Sequence, residues 1–183
     1  DEIKGVVRLF DEVYSVFSAT MSTKGIKLTI NSDAVTSPDV IGDEISLRKI
    51  LNNLLSNANK FTRSGGSVTI FASQKQMNEK SSILHLEVAD TGVGISEEFI
   101  GHLFEPYTQE MSENGGRAAG SGLGMAICKS MIDLQGGSIS VRSKLGEGTT
   151  FYVDIPYSLG KAAVKKTEEL DCSAISGRRI MVV

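Results

Sequence analysis

Three polar side chains on one predicted helix have the chemistry to hold a metal–polyphosphate. The helix is expected over residues 44–61, with Asp43 as its N-cap. At about 100° per residue, Asn53, Asn57 and Lys60 lie within about 60° of one another, along one edge of the apolar stripe. Amide oxygens are suitable ligands for Mg²⁺, and an ammonium group is a point charge for phosphate. Taken alone, the pattern is more typical of a solvated helix margin.

A carboxylate is predicted on the apolar face of a strand, at its end. Asp90 shares that face with Leu86 and Val88 because alternate residues of a strand point the same way. Such a carboxylate needs a hydrogen-bond donor, and the amino group of adenine is one, while Gly92 and Gly94 let a flat base approach the backbone. The alternative, more common for an Asp-x-Gly sequence, is that Asp90 caps its own turn.

A third candidate is the glycine-rich segment 120–124, which opens a predicted helix over 123–134. Glycines before a helix N-terminus expose amide groups toward an anion. The spacing matches neither the Walker loop nor the dinucleotide fingerprint, since Ile127 replaces the third glycine of the latter. The segment alone is equally typical of a flexible hinge.

The helices and strands that must position these residues are predicted from the spacing of their apolar residues, which is helical in some segments and every second residue in others. Helical spacing predicts a first helix over 3–17 and a short one from Glu97, and period-two alternation predicts five strands. The strands are expected at 26–30, 68–73, 83–89, 139–142 and 150–155, with turn chemistry at 31–38, a hairpin connection at 74–82 and a long loop at 111–121. Helices packed on one antiparallel or mixed sheet make an α+β sandwich.

Composition excludes several classes of protein. The 183 residues carry a net charge of −3 and are 40% hydrophobic, which argues against disorder and against nucleic acid as a partner. No apolar run approaches the roughly 20 residues that span a bilayer, so no membrane contact is expected. Cys128 and Cys172 are too few for a disulfide framework, which fits a reducing, cytoplasmic location. The chain opens with Asp1 and is interpreted as a fragment of a longer protein.

Five segments, in this order, resemble the boxes of sensor histidine kinases. Residues 51–62 are similar to the N box, 90–95 to the first glycine box and 104–107 to the F box. Residues 120–127 resemble the second glycine box, and 146–149 match the last glycine motif. The similarity covers about residues 6–157.

The resemblance implies a Bergerat-type fold, a two-layer α/β sandwich whose mixed, mostly antiparallel sheet is covered by helices on one face. It implies ATP and Mg²⁺ as cofactors, with Asn53 and Asn57 as metal ligands and Asn53, Asn57 and Lys60 as catalytic residues. Residues 111–121 would form the ATP lid. The nucleotide-binding residues that it implies are Asn57, Lys60, Phe61, Asp90, Gly92, Gly94, Ile95, Tyr107, Gly120, Gly122, Leu123, Gly124 and Thr149.

The residue at position 53 bears on the reaction. Hydrolase branches of the superfamily place a Glu there as base for water, whereas Asn53 takes no proton at neutral pH. Neither His85 nor His102 lies in a context similar to the phosphoacceptor motif. The resemblance therefore implies transfer of the γ-phosphate to a histidine of a dimerisation domain outside this chain, in two-component signalling.

The same resemblance divides the chain and names its partners. Residues 1–157 would be the catalytic domain, 158–177 a linker and 178–183 the first strand of a receiver domain, which together with Gln109 indicates a hybrid, homodimeric parent kinase. The expected partners are ATP, the dimerisation domain, and a receiver domain or response regulator. Two alternatives stay open: a non-enzymatic ATP-sensing module and an ATP hydrolase of the same fold.

Overall fold

One mixed sheet forms the framework of the molecule in a computed structural model, which describes residues 2–3, 5–37, 39–108 and 122–159. Among the described strands the order is β1-β3-β7-β5-β4-β2, and β6 pairs with the first half of β7. All pairings are antiparallel except β2 with β4. The elements are β1 (Glu2–Ile3), α1 (Val6–Thr23), β2 (Lys27–Ala34), β3 (Val40–Ile41), α2 (Glu44–Phe61), β4 (Ser67–Asn78), β5 (Ser81–Asp90), α3 (Glu97–Ile100), α4 (Gly124–Leu134), β6 (Ser138–Lys144) and β7 (Gly148–Leu159).

The core lies between one face of this sheet and the helices α1, α2 and α4. Every second residue of β5 is buried, and the residues between them are half-buried on the other face. The buried strand residues form one cluster with the apolar stripes of the three helices. Helices on one face of a mixed, mostly antiparallel sheet confirm the predicted fold class.

Helix α2 has the bounds that the sequence predicts. The Asp43 carboxylate accepts a hydrogen bond of 3.1 Å from the Ser46 amide, which satisfies one of the unpaired donors of the first turn. Hydrogen bonds from Ser46 also lower the pKa of Asp43. The helix ends at Phe61 because Thr62 has an extended backbone.

The prediction for the first helix was wrong at both ends. Gly5 has a left-handed backbone (φ 81°), so α1 begins at Val6, and the residues before it form β1. The helix continues to Thr23 because its apolar stripe goes beyond Phe17 to the fully buried Met21.

The strands are longer than predicted. In the second half of β4 the side chains are mostly polar and exposed, so the alternation that marks a half-buried strand is lost while the backbone pairing continues. In β2 the alternation continues through small and polar residues, so this strand extends to Ala34 into the predicted turn. Strands β4 and β5 leave only residues 79–80 as their connection. Strand β7 extends through Leu159, past the predicted start of the linker.

Several predictions fall outside the described residues. They are Gly120, Gln109, the lid at 111–121, most of the linker and the receiver strand at 178–183. None of the helices that the structure describes is long and apolar enough to cross a membrane.

Candidate functional site

Helix α2 forms the long wall of the candidate site, and its two predicted amide side chains face the start of α4. Asn53 and Asn57 are half-buried and lie one turn apart on the same side of the helix. Gly124 approaches Asn53 so closely that an added Cβ would lie 3.1 Å from Asn53 Oδ1. Asn57 Nδ2 donates a hydrogen bond of 3.1 Å to the sulfur of Met125. The structure thus brings Asn53, Asn57 and Gly124 together.

The chemistry of these donors fits a magnesium ion that arrives with its own anionic ligands. Because the Asn57 nitrogen is turned toward Met125, its amide oxygen is left for another partner. Burial raises the pKa of the neighbouring Cys128 thiol to about 11, opposed by a hydrogen bond from Asn53, so the thiol stays protonated. Among the described residues no group of three or more His, Cys, Asp or Glu could hold a metal. Two neutral oxygens suit Mg²⁺ only when phosphates and water complete its octahedron.

The C-terminal end of α2 presents a cation beside an aromatic ring. Lys60 Nζ lies 4.5 Å from the centroid of the Phe61 ring, within the range of a cation–π contact. Burial lowers the pKa of Lys60. The side chain of Phe61 is 37% exposed because it lies at the last position of the helix. This end of the helix therefore offers an ammonium group and an accessible apolar ring.

Asp90 serves the turn that follows it, which was the alternative interpretation. The Gly92 amide donates a hydrogen bond of 2.8 Å to Asp90 Oδ1. Thr149 is the partner of Asp90 across the β5–β7 pair. Burial raises the pKa of Asp90, while hydrogen bonds from the Gly92 and Thr149 amides oppose that shift. One carboxylate oxygen is committed to the turn, so only the other can serve an amino group of a ligand.

The two glycines of this turn are required by contacts inside the protein. A Cβ at Gly92 would lie 2.6 Å from Asp90 Oδ1 and 2.7 Å from the Phe61 carbonyl oxygen. Gly94 has a left-handed backbone (φ 72°), and its Cβ would lie 2.1 Å from the carbonyl oxygen of Lys144. Close packing therefore accounts for both glycines, and a contact with a base stays a prediction. The result of this packing is that the end of β5 meets the end of α2.

A hydroxyl that sequence reasoning missed ties this turn to the neighbouring strands. Ser143 Oγ accepts a hydrogen bond of 2.8 Å from the Ile95 amide and donates one of 2.8 Å to the Gly148 carbonyl. It also lies 2.9 Å from Thr149 Oγ1. Because its single proton goes to Gly148, the Thr149 hydroxyl is the donor in that pair. A polar residue on the inward face of β6, beside Val141, was the available signal.

The remaining predicted residues lie where the described chain stops and resumes. The Tyr107 amide donates a hydrogen bond of 3.0 Å to the Gly122 carbonyl, so the two sides are held together there. Tyr107 has a left-handed backbone (φ 64°), and its side chain is 77% exposed. Leu123 is the N-cap residue of α4. Gly120, between these positions, lies outside the described residues.

These positions define two chemically different ends of one site. Asn53 and Asn57 lie beside the start of α4, while Phe61, Gly92 and Asp90 meet at the other end. The eight steps along the helix from Asn53 to Phe61 correspond to about 12 Å along its axis. Such an arrangement can hold an elongated ligand with an amino-bearing ring at one end and metal-bound anionic groups at the other.

Comparison with known proteins agrees with this geometry. Residues 42–159 match the family described as histidine kinase-, DNA gyrase B-, and HSP90-like ATPase. The chain is 35% identical over 153 residues to an autoinducer 2 sensor kinase/phosphatase, LuxQ, of Vibrio vulnificus, which covers 84% of the chain and 18% of that protein. It is 30% identical over 173 residues to the signal transduction histidine-protein kinase BarA of Shigella flexneri, with 94% and 18% covered. The chain thus spans less than a fifth of these relatives.

Two solved structures share the fold. Full-length ShkA, in complex with AMPPNP, has a TM-score of 0.70 and 29% identity, over 85% of this chain and 31% of that one. The nucleotide-free catalytic domain of the histidine kinase ThkA has a TM-score of 0.67 and 24% identity, over 85% of this chain and 97% of that domain.

Proposed function

The chain belongs to the family of histidine kinase-, DNA gyrase B- and HSP90-like ATPases, and on that premise we propose that it is the catalytic domain of a sensor histidine kinase. In this proposal it binds ATP with Mg²⁺ and transfers the γ-phosphate to a histidine of a dimerisation domain. The named kinases among its relatives support the choice of branch. The observation that carries the proposal is the two-ended site along α2.

Each end has a defined task in this proposal. The Asp90 carboxylate accepts a hydrogen bond from the adenine amino group, and the Phe61 ring borders the base. Asn53 and Asn57 offer amide oxygens to Mg²⁺, and Lys60 contacts a phosphate. When bound, Mg²⁺ neutralises charge on the phosphates, which is the chemistry that phosphoryl transfer requires most. The protein contributes position and charge, because it supplies no covalent step.

The residue at position 53 selects the acceptor. Water attacks a phosphate efficiently only when a base takes its proton, and the amide of Asn53 is no base at neutral pH. A neutral imidazole attacks through the ring nitrogen that carries no proton, so no proton has to leave the attacking atom. Asn53 therefore favours transfer to a protein histidine over hydrolysis.

The partners follow from the reaction. Of the two histidines, His85 lies on the open sheet face, hydrogen-bonded to Asp154 and Glu87, and His102 is exposed beside Glu105. Neither lies in the site, so the acceptor belongs to a separate domain of the parent kinase. We propose a cytoplasmic location for this domain and a homodimeric parent kinase, with a receiver domain or a separate response regulator downstream.

Transfer to an isolated acceptor domain tests the proposal. The chain is incubated with Mg²⁺ and ATP labelled in the γ-phosphate, together with the dimerisation domain of its parent kinase. We expect acid-labile label on that domain's histidine, and none with the Asn57→Ala chain or with excess EDTA. Binding of ATP without transfer in the full-length protein would favour an ATP-sensing module. Rapid phosphate release by the chain alone, abolished by Asn57→Ala, would favour a hydrolase.

A further inference from the structure

The last turn of α2 carries Lys60 and Phe61, and its carbonyl groups need partners from outside the helix. The final four carbonyls of any α-helix lack intrahelical donors. Here the Ala58 carbonyl accepts from the Thr62 amide at 2.9 Å, and the Phe61 carbonyl accepts from the Val93 amide at 3.2 Å. These bonds leave the carbonyls of residues 59 and 60 to be satisfied by a different group.

A single side chain from α1 satisfies both. Lys24 is the C-cap residue of α1, and its ammonium donates hydrogen bonds to the carbonyl oxygens of Asn59 and Lys60, at 2.5 and 3.2 Å. A cation at a helix C-terminus also interacts favourably with the negative end of the helix dipole. Lys24 therefore binds α2 through charge and through two directional bonds.

The backbone next to Lys24 is hydrogen-bonded to the segment that follows α2. The Gly65 amide donates to the Gly25 carbonyl at 2.9 Å, and the Lys27 amide donates to the Gly66 carbonyl at 3.0 Å. Gly25 has a left-handed backbone (φ 74°), and an added Cβ would lie 2.9 Å from Ser64 Oγ. The turn after α1 is thus hydrogen-bonded to the turn after α2, which keeps the ammonium of Lys24 at the helix end.

From this geometry we propose that Lys24 is a positioning residue for nucleotide binding, acting through Lys60. It holds the backbone of the last turn of α2, and so fixes where the Lys60 ammonium and the Phe61 ring stand at the site. Lys24 itself contacts no ligand in this proposal. The inference rests on the proposed function of the site, since Lys60 is assigned there to a phosphate.

The first test needs no ligand. Hydrogen exchange at the Thr62 and Val93 amides reports on the last turn, because both donate to its carbonyls. We expect Lys24→Met to speed exchange at both amides about fivefold, the effect of losing a favourable charge at a helix end. Lys24→Arg, which keeps charge and donors, should restore slow exchange, and Lys27→Met, at an exposed position nearby, should change neither amide. Unchanged exchange in Lys24→Met would overturn the proposal.

The second test is a double-mutant cycle, which isolates the coupling between two residues. Calorimetry measures the Kd of a non-hydrolysable ATP analogue with Mg²⁺ for the unmodified chain, Lys24→Met, Lys60→Met and the double variant. We expect Lys24→Met to weaken binding about fivefold on its own and by clearly less in the Lys60→Met background, where only the effect through Phe61 is left. Equal loss in both backgrounds, or no loss in either, would contradict action through Lys60. If the unmodified chain binds no analogue, the proposed function fails, and the exchange rates still decide whether Lys24 holds the helix end.

Discussion

Replacing Asp90 with Asn should exchange one nucleotide preference for another while leaving the fold intact. The Gly92 amide donates to Asp90 Oδ1 at 2.8 Å, so an Asn keeps this bond by placing its own oxygen there. Its amino group then stands where the second carboxylate oxygen was. A donor now faces the amino group of adenine, where the unmodified chain presents an acceptor.

The expected magnitude follows from the bond that is lost. A hydrogen bond to a charged group contributes about 1.5–3 kcal/mol, which corresponds to a Kd for ATP that is roughly 10- to 150-fold weaker. Guanine carries a carbonyl oxygen where adenine carries its amino group, so the new donor should improve binding of GTP. The ratio of the two affinities therefore changes more than either affinity alone.

The same substitution should leave the thermal stability unchanged or raise it, although it weakens the binding of ATP. Burial raises the pKa of Asp90, so its ionised form is disfavoured in the folded state relative to the unfolded chain. The resulting loss of stability is absent well below pH 3.9, the ordinary value for Asp, and develops as pH rises through the raised pKa. At pH 7 the neutral Asn variant should have a Tm equal to or above that of the unmodified chain.

Calorimetry with ATP and GTP analogues and thermal unfolding at pH 7 check both effects. Asp133→Asn, an exposed acid on α4, is the matched control and should change neither affinity. If Asp90→Asn binds the ATP analogue as tightly as the unmodified chain, or if the unmodified chain binds both analogues equally, Asp90 does not recognise the adenine amino group.

Three further changes probe the site and the opposite face of the sheet. Asn57→Ala should remove the Mg²⁺-dependent part of ATP-analogue affinity, which titrations with and without EDTA measure; equal Mg²⁺ dependence in both chains would contradict the assignment. Gly92→Ala should lower the free energy of unfolding by about 1–3 kcal/mol, because the added Cβ overlaps backbone and carboxylate atoms; an unchanged denaturant midpoint would count against this close packing. Burial lowers the pKa of His85, but hydrogen bonds to Asp154 and Glu87 outweigh it, and the net pKa is raised. The stabilisation is complete below about pH 6.5 and is lost as pH rises through the raised value, so His85→Gln should flatten the fall of Tm over that range.

The sequence predicts those parts of the two-ended site for which the local residue types and the apolar pattern indicate the same structure. Helix α2 has its predicted bounds because Asp43 caps it and its apolar stripe fills the core. That helix alone places Asn53 and Asn57 on one side. The sheet order that brings Asp90 to the other end was available only from the resemblance, since pairing of distant strands leaves no local pattern.

The prediction for Asp90 shows how one residue can satisfy two interpretations. Its place at the apolar end of a strand indicates a buried acceptor, and its position two residues before a glycine indicates a turn cap. In the structure one carboxylate oxygen of Asp90 accepts the hydrogen bond that caps the turn. Sequence reasoning treated the two as competing, because it does not assign roles to the separate oxygens of one carboxylate.

The sequence does not predict the contacts between segments that are far apart along the chain. Lys24 lies 35 residues before Asn59 and follows an exposed helix end, so the sequence pattern around it is typical of an ordinary surface lysine. Ser143 is polar within a short half-buried strand, and its three partners come from two separate places along the chain, Ile95 and the pair Gly148 and Thr149. In both cases the role depends on backbone groups of the partner, which residue types do not reveal.

A crystal structure of the chain with a non-hydrolysable ATP analogue and Mg²⁺ would show whether the nucleotide binds along α2. We expect the adenine amino group within hydrogen-bond distance of the Asp90 carboxylate and the metal next to Asn53 and Asn57, with the phosphates near Lys60. A nucleotide bound elsewhere, for example on the open sheet face beside His85, or one bound in the reverse direction along α2, would contradict this expectation.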